Sequence, residues 1–189
     1  MKKIPTLFER VFDNHRIVGI KPIVKKGCES VLNGECVATV KWDGAACAII
    51  GGELHKRYDA KKGKPIPDGA IKCQDAPDPV TGHMPCWIKC DRENPADKWF
   101  FYAYDHCGGD LSDGTYEAIG LHFNGNPYRM GCDDLVRHGI NEIEVPLTFD
   151  GIREFLLHHH MEGIVFWKDG APLCKIKRTD FGFEWNGKK

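Results

Sequence analysis

Short runs in which polar and apolar residues alternate recur along this chain. Residues 35–41 (ECVATVK) alternate and are rich in β-branched residues, so they are predicted to be a strand. Six further segments are also predicted to be strands: 45–50 (AACAII), 53–58 (ELHKRY), 98–104 (KWFFYAY), 115–121 (TYEAIGL), 162–168 (EGIVFWK) and 171–178 (APLCKIKR). Two pairs of these segments are joined by Gly51-Gly52 and by Asp169-Gly170, and both dipeptides favour tight hairpin turns. The pattern therefore predicts a fold built around antiparallel sheet.

Helical signals are fewer. Thr6-Leu7-Phe8-Glu9 has the pattern of a capping box and predicts a short helix. Asp150 is expected to cap a second helix, in which Ile152, Phe155 and Leu156 share one face. Residues 63–97 are rich in proline and glycine and predict a long ordered loop or insertion. We expect an α+β fold in which residues 1–189 form a single domain.

Composition narrows the class of protein. The chain has 189 residues, of which 42% are hydrophobic and 28% charged, and its formal charge is −1. This balance excludes long disorder, and no apolar run approaches the length of a membrane span. Nine cysteines, several of them within predicted strands, favour a reducing, intracellular (cytoplasmic) protein over a disulfide framework. Residues 53–64 hold five basic and two acidic groups, which suits a small polyanion or one end of a nucleic acid.

The last predicted hairpin carries charge among apolar residues. With Asp169-Gly170 as a two-residue turn, Glu162 is expected opposite Lys177 and Ile164 opposite Lys175. The residues expected on that charged face are Glu162, Ile164, Phe166, Lys175 and Lys177, and those expected to form core on the other face are Val165, Trp167, Cys174 and Ile176. Two interpretations follow: a half-buried pocket, or a solvated cross-strand ion pair.

Lys41 ends a predicted strand and is followed by Trp42-Asp43-Gly44. A lysine at a strand end, next to a glycine that allows close backbone approach, can contact a phosphate or act as a nucleophile. A nucleophilic amine must be uncharged when it attacks, and burial near other cations lowers the pKa of a lysine. Lys175 and Lys177 could supply those cations. The alternative is an ordinary exposed turn lysine.

The order of several short motifs resembles that of a known superfamily. The motifs are Lys41-Trp42-Asp43-Gly44, Lys56-Arg57, Tyr116-Glu117-Ala118-Ile119-Gly120, Glu162-Gly163-Ile164-Val165 and Lys175-Ile176-Lys177. This series resembles the nucleotidyltransferase motifs of polynucleotide ligases and mRNA capping enzymes, and the resemblance spans about residues 35–183. The stretches PDPVTGHMPCW, YEAIGLHFNGNPY, EGIVFWKDG and KIKRTDFGFEW are similar to the compact, stand-alone ATP-dependent 5′–3′ RNA ligases.

This resemblance implies a fold and a reaction. The implied fold is an antiparallel-sheet nucleotidyltransferase (adenylation) domain, similar to ATP-grasp, and we expect no OB domain because eleven residues follow Arg178. In the implied reaction Lys41 attacks ATP to form lysyl-AMP, AMP passes to an RNA 5′-phosphate, and a 3′-hydroxyl then closes the strand. Such a protein repairs RNA ends, and we expect it to be a monomer that does not bind membranes.

Site residues follow from the same resemblance. Lys175 and Lys177 would hold the α-phosphate, Glu162 would bind Mg²⁺ or Mn²⁺, and Glu117 would accept a hydrogen bond from the ribose. Arg57 would bind the ribose or a 5′-phosphate, and His138 would lie against the purine of ATP. Three lysines of the basic segment are expected to contact RNA phosphates: Lys56, Lys61 and Lys62.

Alternatives remain at the level of the sequence. The motifs also occur in GTP-using capping enzymes and in DNA ligases, and a non-catalytic protein that binds RNA ends is a further possibility of another class. The aromatic residues Trp87, Trp99 and Phe100 have two interpretations, stacking on RNA bases or packing in the core.

Overall fold

A computed structural model of the chain describes residues 2–14 and 16–186. The strands are β1 Phe8–Asp13, β2 Arg16–Val24, β3 Val37–Lys41, β4 Ala45–Ile50, β5 Glu53–Ala60, β6 Ile71–Lys72, β7 Met84–Lys89, β8 Gly114–Ile119, β9 Asp134–Arg137, β10 Gly163–Lys168 and β11 Ala171–Lys177. The α-helices are α1 Glu29–Leu32, α2 Lys98–His106 and α3 Phe149–His158. The α+β prediction, with antiparallel sheets and few helices, is confirmed.

Two compact units make up the chain. The first unit contains residues 2–3 and 44–138, and the second contains residues 4–14, 16–43 and 139–186. The expectation that residues 1–189 form a single domain stays a prediction. Within the described ranges, no helix combines the length and the apolar character that a bilayer crossing requires.

The first unit is built on a six-stranded antiparallel sheet in the order β6-β7-β5-β4-β8-β9. One face of this sheet packs against α2, because alternate residues of β4 and β8 are apolar. Its buried residues include Cys47, Ile49, Tyr116, Ala118 and Leu135. The opposite face carries the small side chains of Ala46 and Ala48, with polar residues around them. The Pro/Gly-rich segment 63–97 contributes β6 and β7, and β7 lies between β5 and β6.

The second unit contains a three-stranded antiparallel sheet in the order β11-β10-β3 and the hairpin β1-β2. Its core is formed by one face of the sheet, by α3 and by the start of β1, and it includes Leu7, Phe8, Ile152, Leu156, Ile164, Phe166 and Ile176. The N-terminal segment adds to the outer edge of β11, where Leu7 N donates to the Lys175 carbonyl at 2.8 Å. This edge pairing helps to bury the middle of β11.

Two secondary-structure predictions are wrong, and each has a physical reason. Residues 6–9 do not begin a helix, since pairing with β11 and β2 holds this segment extended. Residues 98–104 form α2 instead of a strand. Their aromatic run lacks any clear period, and the preceding 3-10 turn at Pro95–Asp97, capped by Asn94, starts the chain in a helical direction. The second predicted helix is α3, although Thr148 is its N-cap in place of Asp150.

Candidate active site

In the second unit, two of the lysines predicted to be site residues pair with the same glycine on the central strand. Gly163 in β10 pairs with Lys41 at the end of β3 and with Lys177 at the end of β11. Paired residues of antiparallel strands project to the same face of the sheet. Lys41 and Lys177 therefore flank Gly163 on one face, although they are 136 positions apart in the chain.

The register predicted for this hairpin is wrong by one residue. Glu162 does not pair with Lys177, nor Ile164 with Lys175, because a bulge between Phe166 and Trp167 shifts the ladder beyond the turn. Ile164 pairs with Ile176, and Phe166 pairs with Cys174. These four side chains are fully buried, so Ile164 and Phe166 lie in the core instead of on the charged face. Cys174 and Ile176 lie in the core as expected, whereas Val165 and Trp167 were expected there and lie instead on the face of β10 that carries the lysines.

Glu162 precedes β10 and is the carboxylate at the centre of the lysine cluster. Its side chain is 6% exposed, and its two oxygens accept hydrogen bonds from Lys41 Nζ and Lys177 Nζ. The Lys41 side chain is 20% exposed, so the amine lies at the cluster and not in bulk solvent. The interpretation of Lys41 as an ordinary exposed turn lysine does not fit this geometry. We call Lys41, Glu162, Lys175 and Lys177 the lysine cluster.

Lys175 differs from the other two lysines of this cluster in its contacts. It pairs with Val165, two residues before Lys177 in β11. Among residues 2–14 and 16–186, no carboxylate oxygen lies within 4.0 Å of its Nζ. Burial lowers the pKa of Lys175 to about 8, and the positive charges of Lys41 and Lys177 add to this effect. Arg10 also lowers the pKa, and Glu162 opposes the change. The cluster therefore holds more positive than negative charge.

Replacement of Lys175 by methionine is expected to raise the free energy of unfolding at pH 7, because it removes a half-buried charge and keeps the packing of an unbranched chain. Between about pH 8 and the ordinary lysine pKa, unfolding of the native protein takes up a proton at Lys175, so native stability rises with pH. The advantage of the variant should therefore shrink by roughly 1–2 kcal/mol between pH 7 and pH 9.5. Urea unfolding at both pH values measures this difference.

Lys25→Met, at an exposed lysine of the same unit, provides the matched control for loss of an ammonium group. Its effect on stability should be similar at the two pH values. A Lys175→Met advantage that stays constant between pH 7 and pH 9.5 would contradict the lowered pKa of Lys175.

An ion pair that the sequence analysis missed supports the end of β11. Asp180 is buried, and its Oδ1 accepts from Arg10 Nε at 3.1 Å and from Arg10 Nη2 at 2.9 Å. Its Oδ2 accepts from the Lys177 backbone N at 2.9 Å. Asp180 lies three residues after Lys177, a spacing typical of helix capping, and this spacing could have identified it. No local signal identifies Arg10, because it lies 170 residues away.

The loop that follows Lys41 is also held by long-range hydrogen bonds within the second unit. Trp185 Nε1 donates to Asp43 Oδ2 at 2.8 Å, and Trp42 Nε1 donates to Asn141 Oδ1 at 3.1 Å. Both bonds restrict the backbone next to Lys41. Trp185 belongs to the stretch KIKRTDFGFEW, so this contact gives its aromatic end a structural role.

Glu117 of the first unit forms a separate polar cluster. Its Oε1 accepts from the Gly44 backbone N at 3.1 Å, and its Oε2 lies 3.0 Å from His138 Nε2. The other ring nitrogen of His138 is 3.0 Å from Thr115 Oγ1. Gly44 is required here, because a Cβ at that position would overlap the Ala118 carbonyl oxygen. The structure thus brings Glu117 and His138 together, and the role of each in nucleotide binding stays a prediction.

The basic residues of β5 lie on opposite faces of the first unit's sheet. The Lys56 ammonium pairs with Asp97, a carboxylate that is 1% exposed, on the face that α2 covers. Arg57 donates from Nε to Asp59 Oδ1 at 2.8 Å and lies 5.6 Å from the centre of the Trp87 ring. Lys61 and Lys62 follow β5 and are exposed. The proposed RNA contacts of these lysines stay predictions, and Lys56 already has a buried partner.

The lysine cluster defines a type of site. Two lysines contact one buried carboxylate at the ends of β3 and β11, and a third lysine lies close enough for its pKa to be affected by their charges. Such a cluster favours a ligand that carries several negative charges, for example a nucleoside triphosphate. A carboxylate oxygen suits Mg²⁺, which takes one or two protein carboxylates and completes its shell with water and phosphate oxygens. Both oxygens of Glu162 accept from ammonium groups, so a bound ion would have to replace Lys41 or Lys177 at one of them, and the role of Glu162 as a metal ligand stays a prediction.

Comparison with known proteins points to RNA ligases. The chain is 27% identical to RNA ligase 1 of Danio rerio over 162 residues, which cover 68% of this chain and 46% of the relative. It is 24% identical to RNA ligase 1 of Rattus norvegicus over 167 residues, covering 69% and 47% respectively. RNA ligase 1 of Pongo abelii is 25% identical over the same shares of both chains. The chain spans about half the length of these curated relatives, and no family model matches it. These similarities support a family relationship between the chain and RNA ligases.

Proposed function

We propose that this chain is an ATP-dependent RNA ligase of the covalent nucleotidyltransferase type. The observation that carries the proposal is the hydrogen-bonded group formed by Lys41, Glu162 and Lys177 at one end of the β3-β10-β11 sheet. The sequence relationship to RNA ligases supports the choice of substrate.

In the first proposed step Lys41 Nζ, after losing its proton, attacks the α-phosphorus of ATP. An N–P bond forms, the bond between the α-phosphorus and its bridging oxygen breaks, and pyrophosphate leaves. Lys175 and Lys177 offset the negative charge that develops on the phosphate oxygens, which is the main catalytic requirement of phosphoryl transfer. The product is AMP joined to Lys41 as a phosphoramidate.

The second and third steps use RNA ends. A 5′-phosphate oxygen of RNA attacks the phosphorus of lysyl-AMP, forming a pyrophosphate link between AMP and RNA and returning Lys41 to a free amine. A 3′-hydroxyl then attacks the RNA 5′-phosphorus, a phosphodiester forms, and AMP leaves. A divalent ion held by Glu162 would neutralise charge on the nucleotide phosphates when bound.

Other assignments belong to the same proposal. Glu117, His138 and Arg57 are proposed to bind the nucleoside and phosphate parts of ATP, on the motif order described above. Adenine as the base, the monomeric state and the cytoplasmic location are predictions of the sequence. All nine cysteines have free thiols, which is compatible with a reducing compartment.

The test of this proposal is the intact mass of the protein after incubation with ATP and Mg²⁺, in parallel with GTP and with NAD. We expect the mass of one AMP to be added from ATP, and the adduct should survive denaturation because it is covalent. An adduct formed only from GTP would indicate a capping-type enzyme, and one formed only from NAD would indicate an NAD-using ligase. Absence of any adduct, together with binding of RNA ends, would favour the non-catalytic alternative.

A further inference from the structure

A stacked group of side chains lies on the surface of the first unit, formed by α2 and by the loop that follows β8. The rings of Trp99 and His122 are parallel, with their centres 3.3 Å apart. The Lys98 ammonium lies 4.2 Å from the centre of the Trp99 ring. Tyr102, one helical turn after Lys98, meets Trp99 edge to face at 6.1 Å and is 53% exposed. We call Lys98, Trp99, Tyr102 and His122 the Trp99 surface.

The loop after β8 is shaped to hold the His122 ring in place. Asp133 is fully buried, and its two oxygens accept from the His122 backbone N at 2.9 Å and from His122 Nδ1 at 2.6 Å. Gly120 makes room for this carboxylate, because a Cβ there would overlap the Cys132 carbonyl oxygen and lie 2.6 Å from Asp133 Cα. Burying a carboxylate is costly unless it is fully hydrogen-bonded. The two hydrogen bonds from His122 to Asp133 therefore hold the partly exposed His122 ring in one orientation in the absence of a ligand.

Charge on this part of α2 favours an anionic partner. The acidic residues at the N-cap of α2 and within it are paired with cations of the same unit, since Asp97 pairs with Lys56, and Asp105 accepts from both Nη atoms of Arg92 at 2.9 and 2.8 Å. In the part of the chain that the structure describes, no carboxylate oxygen lies within 4.0 Å of the Lys98 ammonium. An exposed lysine therefore lies beside exposed aromatic groups, with its charge not offset by a direct ion pair.

From this arrangement we infer that the Trp99 surface binds an unpaired nucleotide of a single RNA strand, with the base stacked on Tyr102 and the neighbouring phosphate at Lys98. Aromatic rings stack on any base, and cations beside them hold the backbone, which is how proteins bind single strands without sequence preference. The inference rests on the proposed function, in that RNA is taken as the polymer. It adds a contact to the RNA strand and gives the Trp99 surface no part in the chemistry of Lys41.

Fluorescence anisotropy with a short, labelled, 5′-phosphorylated single-stranded RNA tests the inference, in EDTA and without ATP so that no covalent step takes place. Tyr102→Ala should weaken binding by at least about fivefold, whereas Tyr102→Phe keeps the ring and should stay within about twofold of the native protein. Phe12→Ala, at an aromatic residue of the second unit that is 63% exposed, is the control and should also stay within about twofold. Lys98→Gln should reduce the slope of log K against log salt by about 0.7.

An abasic nucleotide introduced in turn at each position of the RNA separates stacking from indirect effects. At the position that occupies the Trp99 surface, loss of the base should weaken binding to the native protein but should have little further effect on Tyr102→Ala. Equal binding by native protein, Tyr102→Ala and Lys98→Gln would overturn the inference, as would absence of RNA binding by the native protein. The mass adduct with ATP is measured separately, so failure of the proposed function and failure of this inference are told apart.

Discussion

Replacement of Lys41 by arginine should reduce the AMP adduct to background. The guanidinium stays protonated at any accessible pH and so cannot attack the α-phosphorus, although it retains the charge that pairs with Glu162. The free energy of unfolding should therefore change by no more than about 1 kcal/mol. Intact mass after incubation with ATP and Mg²⁺ gives the adduct yield, and urea unfolding gives the stability.

Lys177→Arg is the matched control, because Lys177 donates to the same carboxylate but is not the proposed nucleophile. This variant should form the adduct more slowly and still reach a measurable yield. Peptide mapping of the native adduct should locate AMP on Lys41. A normal yield from Lys41→Arg, or AMP on another lysine, would show that the nucleophile has been assigned wrongly.

Gly163→Ala is expected to lower the free energy of unfolding by at least about 2 kcal/mol. A Cβ at this position would overlap the Ile176 carbonyl oxygen and lie 2.9 Å from Lys177 Cα. These are backbone atoms of a paired strand, so relief of the overlap must displace β11 from β10. That displacement would move Lys177 away from Glu162, and adduct formation should decline together with stability.

Gly19→Ala provides the comparison, because Gly19 also lies within a strand of the second unit. A Cβ at Gly19 would have no atom within 4 Å, and its backbone conformation suits any residue. Its effect on the free energy of unfolding should stay within about 1 kcal/mol in either direction. Similar losses of unfolding free energy in Gly163→Ala and Gly19→Ala would show that close packing against β11 is not the reason for a glycine at position 163.

Sequence patterns were sufficient for the strands that carry the lysine cluster. The alternation in 35–41, and the Asp169-Gly170 turn between β10 and β11, placed Lys41, Lys175 and Lys177 on strands that the structure contains. Both signals are local, since side-chain direction in a strand and the conformation of a two-residue turn depend on immediate neighbours. The motif order added the expectation that Lys41 and Glu162 act together, and these two residues form a hydrogen bond.

Sequence patterns were not sufficient for the register of that hairpin or for the residues that support it. Counting outward from the turn placed Glu162 opposite Lys177, and the bulge at Phe166 and Trp167 changed every pair beyond it. The bulge allows Ile164 and Ile176 to be buried together, a gain in packing that is invisible without the rest of the core. Similarly, the aromatic run of α2 resembled a strand until its position against the six-stranded sheet was known.

The amino-acid sequence alone therefore indicated the antiparallel α+β architecture and the positions of the key strands, because both depend on short-range periodicity and on residue identity. Folding established which polar side chains meet: Glu162 with Lys41 and Lys177, Arg10 with Asp180, and Glu117 with His138. Such pairs join residues from 15 to 170 positions apart. Their formation depends on strand register and on the burial of neighbouring apolar groups, and no short stretch of sequence determines either of these.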